Sequence, residues 1–162
     1  MLFTRVLITG ANGLLGQALV RRLGPDADYA VLATARDEAP RFEEGLCRYA
    51  PLDVTQPREI ADAFEDFGPT VVVNCAALSD VAACDAHRSD AWAVNARAVK
   101  SLAKQCRQTG ARLVHVSSDF VFNGTRGPYD ETARPDPVNY YGRSKLAGEN
   151  HLREAGRARW AL

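Results

Sequence analysis

Short apolar runs alternate along this chain with longer stretches in which apolar side chains recur every three or four positions. The runs at 6–9, 30–35, 46–49, 71–75 and 113–117 predict five strands. The amphipathic stretches at 14–23, 57–67, 90–109 and 140–155 predict helices. Strand and helix alternating in this way is the pattern of βαβ units, and so of a parallel sheet. Gly24-Pro25, Gly68-Pro69 and Gly110 mark the ends of the first three helices, and Thr55 is a candidate N-cap ahead of Pro57. The β-branched run Val71-Val72-Val73 predicts a strand buried on both faces. Residues 119–139 are rich in Gly, Pro and Asp and predict a loop. Ala158-Arg159-Trp160-Ala161-Leu162 reads as the opening of a sixth strand.

The first strand runs into Thr9-Gly10-Ala11-Asn12-Gly13-Leu14-Leu15-Gly16, a Gly-x-x-Gly-x-x-Gly turn that opens the first helix. This placement gives the pattern a mechanism. Gly10 permits a tight turn, Gly13 clears space for a pyrophosphate, and Gly16 lets the helix pack closely on the strand. The helix N-terminus offers free N–H groups and a partial positive charge to phosphates. The expected fold class is therefore α/β, a Rossmann-type doubly wound parallel sheet. Such folds usually continue past the sixth strand, so residues 1–162 are expected to be an NAD(P)-binding domain incomplete at its C-terminus, without its substrate domain.

Gly10, Asn12, Gly13, Leu14, Leu15 and Gly16 are the cofactor candidates of the turn. After strand two, an acid would bind a ribose 2′-hydroxyl, and an arginine would pair with a 2′-phosphate. Thr34-Ala35-Arg36-Asp37 places Arg36 at this point, which favours NADP(H) over NAD(H); Asp37, one residue on, is the rival reader. Asp53 and Val54 follow strand three, where Asp53 is placed either to touch the adenine edge or to cap a turn. Cys75, Ala76 and Ala77 close strand four, where backbone would pass the cofactor.

Tyr141 and Lys145 lie four apart on a predicted helix, so they share a face. A phenol titrates near ~10 and needs help to exchange protons at neutral pH. A neighbouring ammonium supplies that help by stabilising the phenolate. Ser118 falls at the carboxyl end of strand five, where its hydroxyl could hold a substrate carbonyl beside Tyr141; Ser117 is its rival. Asn95 in the long helix is either a tolerated polar residue or a partner for strand-four backbone or for a water leading to Lys145. The catalytic candidates are thus Ser118, Tyr141, Lys145 and Asn95.

Composition narrows the partners. Lys plus Arg (20) balances Asp plus Glu (20), which argues against nucleic acid or an anionic membrane as partner. No apolar run approaches the roughly eighteen residues of a membrane span. The N-terminal segment passes into strand one and does not read as a signal peptide. Cys47, Cys75, Cys84 and Cys106 lack Cys-x-x-Cys spacing and form no ligand set with His87, His115 or His151, so neither zinc nor a disulfide framework is expected. A reducing cytoplasm fits this pattern, with Cys47 and Cys75 as small buried hydrophobes.

Several runs together carry a resemblance: Asn74-Cys75-Ala76-Ala77, Val94-Asn95-Ala96, the stretch from Leu113 through Ser117-Ser118-Asp119-Phe120-Val121-Phe122-Asn123-Gly124, Gly127-Pro128-Tyr129, and Tyr141-Gly142-Arg143-Ser144-Lys145. With the glycine turn, they make the chain similar to the extended short-chain dehydrogenase/reductases, and most of all to the dTDP-4-dehydrorhamnose reductase family. That family usually has Ser-Thr-Asp-Tyr-Val-Phe-Asp-Gly where this chain has Ser-Ser-Asp-Phe-Val-Phe-Asn-Gly. Its catalytic threonine corresponds to Ser118, while Phe120 and Asn123 depart from its pattern.

The resemblance implies an NAD(P)H-dependent reductase of a nucleotide-sugar ketone, with Tyr141 as proton donor in a triad with Ser118 and Lys145. Phe122, Gly124 and Tyr129 would line the near side of the substrate pocket or simply pack and turn. The resemblance extends to the regulatory β subunit of methionine adenosyltransferase, so a non-catalytic NADP-binding subunit is the alternative. A cofactor-binding fragment inactive by itself, with an apolar edge at 160–162, is a third reading. Helices 90–109 and 140–155 could form a homodimer bundle or pack only on their own sheet.

Overall fold

The computed structural model describes residues 4–155. Five parallel strands form one sheet: β1 (Thr4–Thr9), β2 (Tyr29–Ala35), β3 (Arg48–Pro51), β4 (Val71–Asn74) and β5 (Arg112–His115), in the order β3-β2-β1-β4-β5. The strand order reverses direction between β1 and β4, and the crevice outside the carboxyl ends of those strands is where open α/β sheets bind ligands. The expected doubly wound fold is present.

One face of the sheet is covered by α2 (Pro57–Phe67), α5 (Ala98–Thr109) and α6 (Tyr140–Ala155), packed side by side. Leu7, Leu32, Val72 and Leu113 of the strands meet Ile60, Phe64, Val99, Leu102 and Leu152 of these helices. Each fully buried aliphatic contributes roughly 1.5–3 kcal/mol. The opposite face carries α1 (Leu14–Leu23), whose Val20 packs with Phe42 on Val6, Ile8, Val31 and Ala33. That thinner cover explains a departure from expectation. Val72 and Asn74 of β4 are buried, whereas Val71 and Val73 are only partly so. Cys47 and Cys75 are likewise half-buried, and the deeply buried thiols are Cys84 and Cys106.

Two helices begin and end where the pattern placed them, α1 and α2 with Pro57 in its first turn, and α6 begins at the expected Tyr140 and runs to the last described residue. Other boundaries differ. β3 lies two residues further along than expected, and β5 ends at His115, leaving Ser117 and Ser118 beyond it. Gln56, not Thr55, occupies the N-cap of α2; Thr55 instead donates both its N–H and its hydroxyl to Asp53 Oδ1. The predicted helix over 90–109 starts two residues earlier and is three pieces: α4 (Arg88–Trp92), a wide π turn (Ala93–Arg97) and α5. A short α3 (Val81–Ala86), for which the pattern gave no element, precedes it. Asp80 caps α3 by accepting from Ala83 N at 2.8 Å. The π turn carries Asn95 inward, where tertiary partners claim it. The loop 119–139 holds one short 3-10 turn (Asp119–Val121). The expected sixth strand at 158–162 lies outside the described residues. No described helix is long and apolar enough to cross a membrane.

Candidate active site

The glycine turn sits over the end of β4. Gly10 has φ +68°, and a Cβ there would stand 2.6 Å from Ala76 N, so both its conformation and its neighbours require glycine. Gly16 is pressed against the turn itself, where a Cβ would meet Gly10 O at 2.4 Å. Gly13 occupies the N-cap of α1, no described side chain caps that helix, and its first turn holds no acid. The N–H groups of its first turn are therefore available to an anion.

Gly10, Asn12, Gly13, Arg36, Asp53, Val54, Cys75, Ala76 and Ala77 line one cleft of about 370 Å³. Leu14 and Leu15 are exposed on the first turn beside it, and Gly16 is buried beneath. A larger hollow of about 510 Å³ lies between β2, β3 and α2; Glu59, Asp62 and Asp66 line it, a wall that repels phosphate. The smaller cleft is the one whose chemistry suits a dinucleotide.

Asn12 ties the turn to the loop after β2. Its Nδ2 donates to Asp37 Oδ2 (2.9 Å) and Ala39 O (3.0 Å), and its Oδ1 accepts from Arg41 N (2.9 Å). Arg41 Nε lies 3.1 Å from the same Asp37 oxygen. Asp37 is thereby engaged from two sides, while Arg36 is exposed at the cleft wall. Arg41 also lines the cleft, and sequence reasoning missed it, since an irregular loop has no periodicity to mark it. Asp53 holds a turn, its Oδ1 accepting from Thr55, and it also lines the cleft.

The second cluster is built on α6. A Cβ on Gly142 would fall 2.1 Å from Phe120 O, and one on Gly148 would fall 2.5 Å from Asn95 O. These two glycines bracket Lys145 and let α6 ride directly on the segment after β5 and on the π turn. Lys145 is consequently only 1% exposed. Its Nζ donates to Val116 O at 2.6 Å and stands 3.4 Å from His115 Nε2. Burial pushes the lysine down to about 8, against the upward pull of Glu149 and of Cys75 on the cleft wall. Burial, and then the charge of Lys145, pushes His115 down to about 3. Burial raises Cys75 to about 11, opposed by Lys145.

Tyr141 is buried one turn before Lys145, its ring edge-on to Phe120 at 5.6 Å. The two serines have different partners. Ser117 Oγ donates to buried Glu149 at 2.5 Å, whose other oxygen takes Arg153 Nη2 at 2.9 Å. Ser118 Oγ makes only longer local bonds, to Asp119 Oδ1 (3.3 Å) and from Phe120 N (3.2 Å). Asn95 makes no direct hydrogen bond to β4 or to Lys145. It clasps Leu78 N and O (2.9 Å each) and donates to Ser144 Oγ (2.9 Å), so it pins the loop after β4 to α6. Leu78 and Val94 line the cleft and were not foreseen. Phe122 and Tyr129 stack on each other at 4.4 Å. Among the described residues, no group of His, Cys, Asp and Glu could hold a metal ion.

Similarity to known proteins agrees with this geometry. The chain is 40% identical over 153 residues to a dTDP-4-dehydrorhamnose reductase of Burkholderia thailandensis, an alignment that spans 94% of this chain and 46% of that protein. It is 37% identical over 150 residues to methionine adenosyltransferase 2 subunit beta of Bos taurus, spanning 93% of this chain and 43% of that one. The crystal structure of dTDP-4-dehydrorhamnose reductase from Bacillus anthracis in complex with NADP superposes with a TM-score of 0.85 at 32% identity, covering 99% of this chain and 53% of that chain. This chain therefore spans about half the length of the relatives it matches. The family profile described as RmlD substrate binding domain matches residues 4–162, and the chain belongs to that family.

Proposed function

We propose that residues 1–162 form the NAD(P)-binding Rossmann domain of a reductase that acts on the ketone of a nucleotide sugar, similar to dTDP-4-dehydrorhamnose reductase. One observation carries the reading. The glycine-turn cleft and the buried Lys145 meet at Cys75, which lines the first and feels the charge of the second.

In this reading the turn from Gly10 to Gly16, with the N–H groups of Leu14 and Leu15, cradles the pyrophosphate. Asp53 and Val54 would hold the adenine, Arg36 would pair with a 2′-phosphate, and Cys75, Ala76 and Ala77 would hold the nicotinamide end. The bound cofactor supplies the hydride. Tyr141 gives its phenolic proton to the carbonyl oxygen as it becomes an alkoxide. Ser118 donates a hydrogen bond to the same oxygen, and the Lys145 ammonium favours the phenolate that Tyr141 leaves behind. Asn95 holds the wall at Leu78 against α6.

The deciding experiment is ketone-dependent oxidation of NADPH by the full-length protein, with a dTDP-4-keto-6-deoxyhexose as substrate. Turnover that vanishes in Tyr141→Phe supports the reading. The identity to methionine adenosyltransferase 2 subunit beta favours one second reading, an NADP-binding regulatory subunit. NADPH binding with no oxidation by any keto-sugar nucleotide would select it. The proposal also places the protein in the cytoplasm and leaves α5 and α6 as a homodimer face, which light scattering tests.

A further inference from the structure

One buried titratable group is unused by this chemistry. His115 is fully buried at the end of β5. In the sheet register it is the last of a row: Thr34 pairs with Thr9, Thr9 with Asn74, and Asn74 with His115. All four are buried, and the last three are joined by side-chain hydrogen bonds that end at Lys145. We propose that His115 is a positioning residue for Lys145: a neutral imidazole, its tautomer set by Asn74, that presents Nε2–H to the lysine Nζ and so favours the uncharged amine.

The direction of every bond in the row follows from one fixed donor. Ala76 N can only donate, and it donates to Asn74 Oδ1 (3.2 Å), which also accepts from Thr9 Oγ1 (2.6 Å). The amide of Asn74 is thereby oriented, with Nδ2 toward His115 Nδ1 at 3.0 Å. An N–H₂ group needs an acceptor, so Nδ1 carries the lone pair and the proton of the neutral ring sits on Nε2. That N–H faces Nζ at 3.4 Å, a long contact. Toward an ammonium it sets donor against donor; toward an amine it is the donor that satisfies the free lone pair.

Other groups around Nζ act in the opposite sense. Val116 O accepts from Nζ in either state. The buried Glu149 carboxylate, shared with Ser117 and Arg153, favours the charged form, whereas the Cys75 thiol beyond β4, raised to about 11, is neutral and carries no charge to Nζ. Thr9 and Asn74 contribute no charge, Tyr141 lies one turn back on α6, and the π turn meets α6 through the Asn95 carbonyl at Gly148. His115 thus offsets Glu149 and keeps Lys145 able to release and regain a proton rather than locked as a cation.

The inference rests on Lys145 serving Tyr141 in the proposed reductase, and its test does not need turnover. The full-length protein, labelled with ¹⁵N at histidine and lysine side chains, is titrated by NMR, with Lys145→Met used only to assign the Nζ signal. His115 is expected to hold the Nε2–H tautomer from pH 8 to pH 5. His115→Leu is expected to raise the Lys145 midpoint by about one pH unit. His115→Gln, which can face Asn74 with Oε1 and Nζ with its N–H₂, is expected to stay within about half a unit of the parent. An Nδ1–H tautomer or an imidazolium at pH 7 overturns the inference, as does an unmoved midpoint in His115→Leu. If His115→Leu fails to fold, the parent tautomer and the His115→Gln midpoint decide in the same way. Absence of ketone reduction alongside the expected titrations would remove the reductase reading and leave the role of His115 standing.

Discussion

The two ends of the candidate site are built from opposite materials. The cofactor end, from β1 through α1 to β2, is made of backbone, with glycines that admit it and charges at its rim. The proton-transfer end, where β4 and β5 meet α6, is made of buried polar side chains drawn from four separate segments. A glycine turn is local and declares itself in consecutive residues. A buried relay is assembled by strand register, so its members lie far apart in sequence: Thr9, Asn74, His115 and Lys145. Function at the first end tolerates changes that leave the backbone path intact, whereas function at the second depends on individual atoms.

The largest expected effects fall at the second end. Tyr141→Phe removes the proposed proton donor and nothing else the backbone needs, since Tyr141 packs through its ring. A loss of about 10²–10⁴-fold in kcat is expected, the usual contribution of a positioned acid, with NADPH affinity unchanged by calorimetry. Equal activity in the variant would break the comparison by removing chemistry from that end. At the first end the largest effect is on stability. Gly10→Ala combines a strained φ with overpacking against Ala76, and a cost of about 2–5 kcal/mol is expected. Denaturant unfolding reads it directly.

Legibility follows the same division. The glycine turn, α1, α2 and α6 stand where pattern and punctuation put them because each is decided by neighbouring residues: Gly-rich spacing, Pro57, Gly68 and the apolar period. Between Val81 and Arg97 the pattern predicts only a continuous helix from residue 90, where the structure has α3, α4 and the π turn. The break at His87 and the π turn are decided by tertiary demand, since Asn95 must reach Leu78 and Ser144 while Gly148 presses on its carbonyl. Nothing in Ala93-Val94-Asn95-Ala96-Arg97 alone favours a wide turn over a regular one. The Tyr141/Lys145 pair was visible as a spacing. The burial of Lys145 was not, because it depends on Gly142 and Gly148 lying against segments distant in sequence.

The buried pair also gives the folded protein a pH signature. His115 has its folded value lowered from 6.5 to about 3, so between those values the unfolded chain binds the proton and the folded chain does not. Stability contributed by the neutral ring is present above pH 6.5 and is lost as pH falls toward 3. Lys145 is lowered from 10.5 to about 8, so below pH 8 the fold carries the penalty of a buried ammonium, and stability rises with pH between 8 and 10.5. Each unit of separation corresponds to about 1.4 kcal/mol. His115→Gln is expected to flatten the fall in Tm between pH 6.5 and pH 4 relative to the parent, and Lys145→Met to flatten the rise above pH 8. Parallel curves for parent and variants would place these groups outside the energetics of the fold.

The smallest expected effect tests whether the rim of the cofactor end reads charge. Arg36 is exposed and Asp37 is engaged by Asn12 and Arg41. Under the proposal, Arg36→Ala removes one charge-assisted contact to a 2′-phosphate, worth about 1.5–3 kcal/mol, so NADPH affinity is expected to fall about 10–100-fold while NADH affinity stays level. Arg41→Ala separates the two candidate readers. It removes one of the two partners of Asp37 Oδ2, leaving that carboxylate more able to accept from a ribose 2′-hydroxyl, and it removes a second cation from the cleft wall. NADH binding is therefore expected to strengthen slightly as NADPH binding weakens. If Arg36→Ala lowers both affinities equally, the arginine serves the pyrophosphate or the loop, and discrimination between the cofactors belongs to Asp37.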